Sequence, residues 1–284
     1  MLTRQTHERT FRLRPCERTN RLYLYCLALA AQKTGVAIHA VCAMSDHHHV
    51  AATDVNGNLP IFSRELHRTL ANALNATQGL SDSVWSGGKT NYLEAAEPED
   101  LLRKIAYVAV NPVRAGLVET PEDWPGVVLW GEHRIIVERP DEYFHPKGKA
   151  PKTIELVISR PAAALEQPDW DERLAAEIER QMADARRGLD AKGTTVLGKA
   201  AVLATPFTAR AKSWQVKGAR VPTVAAWSRE ARGAVLRAHR AFRADYAAAL
   251  AAWTSGDRTV VFPPGTWWMR VHHGVRVYDV SMAA

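Results

Sequence analysis

Met44-Ser45-Asp46-His47-His48-His49-Val50-Ala51-Ala52-Thr53-Asp54 is the stretch on which the reading of this chain turns. Ahead of it, Val36–Met44 is built of small apolar and β-branched residues, the composition of a buried strand. Ser45–Asp46 supplies a turn, and His47–Thr53 is predicted as the returning strand of a hairpin. Asp54-Val55-Asn56-Gly57-Asn58 then closes it with strong turn chemistry. Side chains alternate across a strand, so His47 and His49 share one face and His48 takes the other. Two imidazoles on one face, about 7 Å apart by strand rise, can converge on a single divalent cation. They leave positions open for a substrate oxygen and water, whereas a structural zinc site takes four protein ligands and favours cysteine. His48 is expected to face solvent or DNA. With 11 histidines in the chain, a lone His-x-His pair says little; the hairpin around it is what gives it weight.

Toward the N-terminus, Thr10–Leu13 reads as a short strand stopped by Pro15. Thr19 or Asn20 can cap a helix that runs to about Lys33 and stops at Gly35, with Leu22, Cys26 and Leu29 on one face. Beyond the hairpin, Pro60 opens a second helix to about Asn75, and Phe62, Leu66, Leu70 and Leu74 repeat at helical spacing. Val84–Trp85 and Tyr92–Leu93 read as another hairpin or the remaining strand. Glu97–Pro98 starts a third helix with Leu101, Leu102, Ile105 and Val108 as its buried positions. The order strand, helix, strand, strand, helix, strand, helix predicts an α+β fold of the ferredoxin-like (RRM-like) type, an antiparallel sheet with helices on one face.

The third helix carries Lys104-Ile105-Ala106-Tyr107-Val108-Ala109-Val110-Asn111-Pro112. Tyr107 and Asn111 are four residues apart and lie on one helical face, one turn apart. Pro112 biases Asn111 away from helical geometry, so Asn111 is expected to be the last helical residue, its carboxamide oxygen free to ligate a metal. The plainer alternative packs Tyr107 in the core and lets Asn111 merely end the helix. Joined to the histidines, the pair fits one chemistry. A cation held by His47, His49 and Asn111 polarises a phosphodiester oxygen, and the Tyr107 hydroxyl attacks phosphorus to leave a covalent phosphotyrosine. That intermediate conserves the bond energy, so a strand can be rejoined.

Met44–Val50 followed by Tyr107–Val118 resembles the HUH single-tyrosine transposases, above all their REP-associated tyrosine transposase branch. The resemblance covers roughly residues 1–130 and extends to Pro121-Glu122-Asp123-Trp124-Pro125-Gly126. It implies a ferredoxin-like catalytic domain, His47 and His49 as metal ligands, Asn111 as the third ligand and Tyr107 as nucleophile. It further implies Mg²⁺ or Mn²⁺ as cofactor, cleavage of single-stranded DNA beside imperfect hairpins, and a 5′-phosphotyrosine link. Two positions depart from the family: Asp46 stands where Asn is usual, and His48 where a hydrophobic residue or Tyr is common. Asp46 either adds a carboxylate beside the metal or caps the turn. Two other readings fit the residues: a hairpin-DNA binding protein on the same scaffold whose chemistry has decayed, and a hydrolytic metalloenzyme unrelated to DNA. The first is opposed by the intact four-residue set, the second by the lack of a carboxylate base other than Asp46.

Composition sets the frame for the rest. The 284 residues are 46% hydrophobic and 24% charged, enough to bury a core, and the formal net charge of +7 points to an anionic partner such as nucleic acid. Cys16, Cys26 and Cys42 form no CxxC pair and are odd in number, which argues against a disulfide framework and a thiolate zinc site and predicts a reducing cytoplasm; the transposase resemblance implies a place at the bacterial nucleoid. No membrane association is expected: Leu22–Ala31 is too short to span a bilayer and carries two tyrosines, and the charged N-terminal stretch lacks the apolar run of a signal peptide. The composition shifts after about Pro151, dividing a catalytic domain, 1–150, from a basic, mainly helical extension, 151–284. In that extension Pro161–Arg187 reads as a surface helix and Val260–Val280 as short strands around Phe262-Pro263-Pro264-Gly265-Thr266. Candidate DNA contacts are Arg4, Arg9, Arg12, Arg14 and Arg18, then Arg210, Lys212, Trp214, Lys217 and Arg220, with Arg229, Arg232 and Arg237 following. Trp214 and Trp227 either stack on unpaired bases or anchor the segment to the core. Single-stranded or hairpin DNA is the expected partner, bound by a monomer or a homodimer.

Overall fold

The first strand, β1, is Leu2–Gln5 rather than Thr10–Leu13. It is held by register rather than by composition: Leu2 is buried and pairs opposite Val50, and Gln5 pairs opposite His47. Thr10–Leu13 instead lies in a loop that follows a turn with Glu8 and Arg9 at φ of 48° and 55°, and buried Arg12 in that loop donates to Asn75 and Gln78. The computed structural model describes residues 1–88, 90–141, 143–144, 148–212 and 222–278.

Helix α1, Glu17–Thr34, starts earlier than predicted because the Cys16 sulfur, not Thr19 or Asn20, caps it by accepting from the Thr19 amide. Gly35 ends it at φ 70°, a left-handed conformation that a side chain would strain. The hairpin forms as predicted, with β2 at Ala37–Ala43 and β3 at His47–Thr53. Asp54 then accepts the amides of Asn58 and Leu59 and leads into α2, Leu59–Gln78. Two short strands, β4 (Asn91–Tyr92) and β5 (Glu94–Ala95), precede α3, Pro98–Arg114. Next come β6 (Val128–Trp130), β7 (His133–Glu138) and β8 (Thr153–Ile158), then α4 (Ala162–Leu165), α5 (Trp170–Asp190) and α6 (Lys199–Ala204). The chain continues through β9 (Val224–Ala225), α7 (Arg229–Thr254), β10 (Val261–Phe262), α8 (Trp267–His273) and β11 (Arg276–Val277).

The fold is mixed α+β. Its main sheet has the strand order β4-β1-β3-β2-β8-β7, with β6 also pairing with β2. The sheet is mixed rather than wholly antiparallel, because β8 runs parallel to β2. Helices cover both faces, not one. Strand alternation, shifted by one residue at a bulge between Ile38 and Ala40, explains this: Ile38, Val41 and Val50 pack with α1 and α2, whereas Ala40, Cys42, Met44 and Ala51 pack with α3. Helix α3 is itself covered by α5 through Trp170, Leu174, Ile178 and Met182, so it is apolar on two sides. That double packing carries α3 through Pro112 to Arg114, past the predicted end at Asn111. The proline sits in the last turn and removes only the ladder bond to the Val108 carbonyl.

The composition shift near Pro151 falls between β7 and β8, which pair continuously from His133 with Ile158 to Glu138 with Thr153. The sheet therefore runs across it. In the tail, β10 and β11 pair around α8, a helix the sequence reading did not contain. Trp214, Lys217, Arg220 and Val280 lie outside the described residues. Among the described residues, no helix is long and apolar enough to cross a membrane.

Candidate active site

Strand β3 turns His47 and His49 toward α3, and their ring centroids stand 4.9 Å apart, closer than the backbone spacing alone implies. Each ring is held at one nitrogen. His47 Nδ1 lies 2.7 Å from Asp46 Oδ1, and His49 Nδ1 lies 2.8 Å from Thr3 Oγ1 on the neighbouring strand β1. A carboxylate can only accept, so Nδ1 of His47 carries the proton in the Asp46 contact and Nε2 is the nitrogen turned away from it. Thr3 can orient His49 in the same way. Neither Nε2 makes a hydrogen bond among the described residues. This is how an outer partner prepares an imidazole to bind a metal.

Asp46 does this work in place of capping the turn. Its other oxygen accepts from Arg9 Nε at 2.7 Å. Burial pushes its carboxyl pKa up, but the bonds from His47 and Arg9 outweigh that and hold it below the usual carboxylate range. His49 is driven well below the ordinary histidine value by burial first and by His47 second, against an opposing pull from Asp46. Near neutral pH it is a neutral imidazole.

From the other side, α3 brings Tyr107 edge-on to His49, with ring centroids 5.5 Å apart. The tyrosine is half-buried, and two cations flank its ring: Lys104 Nζ at 5.5 Å and Arg114 Cζ at 5.2 Å from the centroid. The Lys104 ammonium pKa is lowered by burial, an effect that Asp100 opposes and Arg114 reinforces. Asn111 is buried one turn further along, and its carboxamide makes no hydrogen bond among the described residues. No set of three His, Cys, Asp or Glu residues gathers there among the described residues, so a cation on the two imidazoles would draw its other ligands from Asn111, water or substrate. Beside the histidines lies a cavity of about 250 Å³ lined in part by Arg9, Asp46, His47, Ala115 and Lys212.

His48 points to the opposite face, as strand alternation requires, but it does not face solvent or DNA. It is wholly buried, with Nδ1 2.7 Å from Tyr23 Oη and Nε2 2.8 Å from His67 Nε2. Trp85 packs against both rings. Three helix and strand positions far apart in sequence thus hold the hairpin from behind.

The basic residues fall into distinct groups. Arg4 donates to Thr90 and the Ser86 carbonyl, and buried Arg12 to Asn75 and Gln78, so both guanidinium groups are engaged within the fold. Arg9 serves Asp46, and Arg14 donates to the Leu203 carbonyl. Arg210 pairs with Glu8. Arg18 and Lys212 are exposed, and Lys212 borders the cavity beside His47. Sequence reasoning missed Thr3, Lys104 and Arg114, and took Arg9 for a DNA contact rather than a partner of Asp46. Lys104 and Arg114 stand three before and seven after Tyr107, a helical spacing that could have drawn notice; nothing local marks Thr3 or the pairing of Arg9 with Asp46.

No family model matches the chain, and neither a curated protein nor a solved structure was found similar to it.

Proposed function

We propose that this protein is a metal-dependent HUH single-tyrosine enzyme that cleaves and rejoins single-stranded DNA near hairpins. The observation that carries the reading is the tethering of both strand histidines at Nδ1, which leaves both Nε2 atoms without a partner among the described residues, with His49 edge-on to Tyr107. Two imidazoles and the carboxamide oxygen of Asn111, completed by phosphate and water oxygens, suit Mn²⁺ better than Mg²⁺, because imidazole nitrogen favours transition metals. A divalent cation held there would supply Lewis-acid polarisation of the scissile phosphodiester. Lys104 and Arg114 hold the phosphate's negative charge over the tyrosine. The Tyr107 oxygen bonds to phosphorus as the bond from phosphorus to O3′ breaks; the hydroxyl proton passes to water and the departing 3′ oxygen takes one up. A 5′-phosphotyrosine and a free 3′-hydroxyl result, and attack by a hydroxyl reverses the step. The strand order β4-β1-β3-β2, with α1 and α2 on one face, supports a ferredoxin-like core, extended here by β6 to β8 and by helices beyond residue 160. This reading puts the protein in the bacterial cytoplasm at the nucleoid.

The test is incubation of the full chain with hairpin-bearing single-stranded oligonucleotides and Mg²⁺ or Mn²⁺, resolved on a denaturing gel. Cleavage that disappears with chelator and in Tyr107→Phe supports the reading. Hairpin binding without cleavage, across oligonucleotides covering the flanking genomic hairpins, favours a DNA-binding protein that has lost its chemistry.

A further inference from the structure

We infer that Trp227 and the arginine face of α7 form a track for the unpaired DNA strand running from Tyr107. The inference rests on the reading just given, which takes the strand at Tyr107 to be DNA. Helix α7 is 26 residues long and buries only Ala249. Arg229, Arg232, Arg237, Arg240 and Arg243 are all exposed along it. At 3.6 residues per turn they fall within an arc of about 140° and extend over about 21 Å. Glu230 and Asp245, the carboxylates of this helix, lie outside that arc.

The contrast with α5 shows why this is not an ordinary solvated face. On α5, Arg173 pairs with Glu99 and Asp169, Arg180 with Glu177 and Asp184, and Arg187 with Asp184. None of the five α7 arginines makes an ion pair among the described residues. Five aligned guanidinium groups without counter-charge match a regularly spaced polyanion. Gly233 and Ala244 lie within the same arc, small enough to let a backbone approach.

Trp227 connects this face to the site. Its indole is 81% exposed, with one face under the Arg103 guanidinium at 4.5 Å. The opposite face is open to stack on an unpaired base. Arg103 stands one helical turn before Tyr107 on α3, and the pairing of β9 with β5 fixes the start of α7 directly ahead of α3. A strand leaving Tyr107 thus has about one helical turn of α3 to cover before Arg103 and Trp227, and then reaches the first arginines of α7.

The test is fluorescence anisotropy on the full chain with a labelled thymidine oligonucleotide, a blunt duplex of equal charge, and phosphatidylserine vesicles as a third arm. Removing three phosphate contacts with Arg232→Ala/Arg237→Ala/Arg240→Ala should flatten the slope of log affinity against log salt by about 2 for single-stranded DNA, which weakens binding about a hundredfold near 0.1 M salt. Trp227→Ala should weaken the single strand about fivefold or more and leave the duplex and the salt slope unchanged. An unaltered slope in the triple variant, equal loss on duplex in Trp227→Ala, or preference for vesicles over DNA would each overturn the inference. Adduct formation at Tyr107 with an unaltered slope removes the track alone. Loss of strand binding in the triple variant, with no adduct from any oligonucleotide, keeps the track and removes the reading of the site.

Discussion

Acidification should destabilise this protein through the histidines behind the hairpin, at a pH where its carboxylates are still ionised. His67 is buried on α2, sharing a hydrogen bond with His48 at 2.8 Å and facing Ser63 Oγ at 3.2 Å. Burial, with a smaller push from Arg4, lowers its pKa from 6.5 to about 3. The folded-state value lies below the unfolded one, so the unfolded chain takes the proton first. Stability is therefore complete above about pH 6.5 and declines as the pH falls toward about 3. At about pH 5 the linkage relation gives a loss of ~2 kcal/mol from His67 alone, or roughly 3–4 °C in Tm for a chain of this length. His48 is shifted in the same direction by burial and then by His67, and adds to the loss. Asp46 and Glu65, both held below the usual carboxylate range, contribute only at lower pH. The assay is calorimetric melting between about pH 7.5 and 5 on the natural protein and on His67→Gln, which keeps a polar partner for His48 but takes no proton. The variant should lose about 2 kcal/mol less on acidification. Equal losses in the two proteins would refute the assignment of acid sensitivity to this pair.

Other outcomes follow from the same geometry. Thr3→Val and Asp46→Ala free the tethered rings and should each weaken Mn²⁺ binding about 10–100-fold by calorimetric titration. Arg114→Met should slow single-turnover cleavage about 10²–10³-fold while strand affinity moves far less, because the guanidinium acts on charge developing at phosphorus. Gly126→Ala should cost about 1–3 kcal/mol in chemical denaturation. Its new methyl would run into the Trp124 indole, whose Nε1 donates to the Ala43 carbonyl at 3.0 Å.

The hairpin was legible because its signals are local. Alternation over His47–His49 places two rings on one face and one on the other, and Gly35 and the Asp54–Asn58 turn mark its limits. The tyrosine helix was legible from its spacing, apart from its end, where burial between the sheet and α5 outweighs the local bias of Pro112. What depends on distant partners could not be read. Leu2–Gln5 has too little pattern to look like a strand and becomes one through β3. Strand β8 joins the sheet from beyond the composition shift, parallel to β2. His48 looked like a surface residue because its partners, Tyr23 and His67, lie on two helices far away in sequence. The hydrogen bond between Thr3 and His49 has the same origin: it exists only through the pairing of β1 with β3.

The central claim is that Tyr107 becomes covalently joined to DNA. Its most direct test is mass spectrometry of the protein after reaction with a hairpin oligonucleotide and Mn²⁺, followed by digestion to map the modified peptide. The account predicts a protein carrying the 3′ fragment of the cut strand through its 5′-phosphate, with the modification on Tyr107. Cleaved DNA with no protein-linked fragment, or a fragment linked to any other residue, would contradict it.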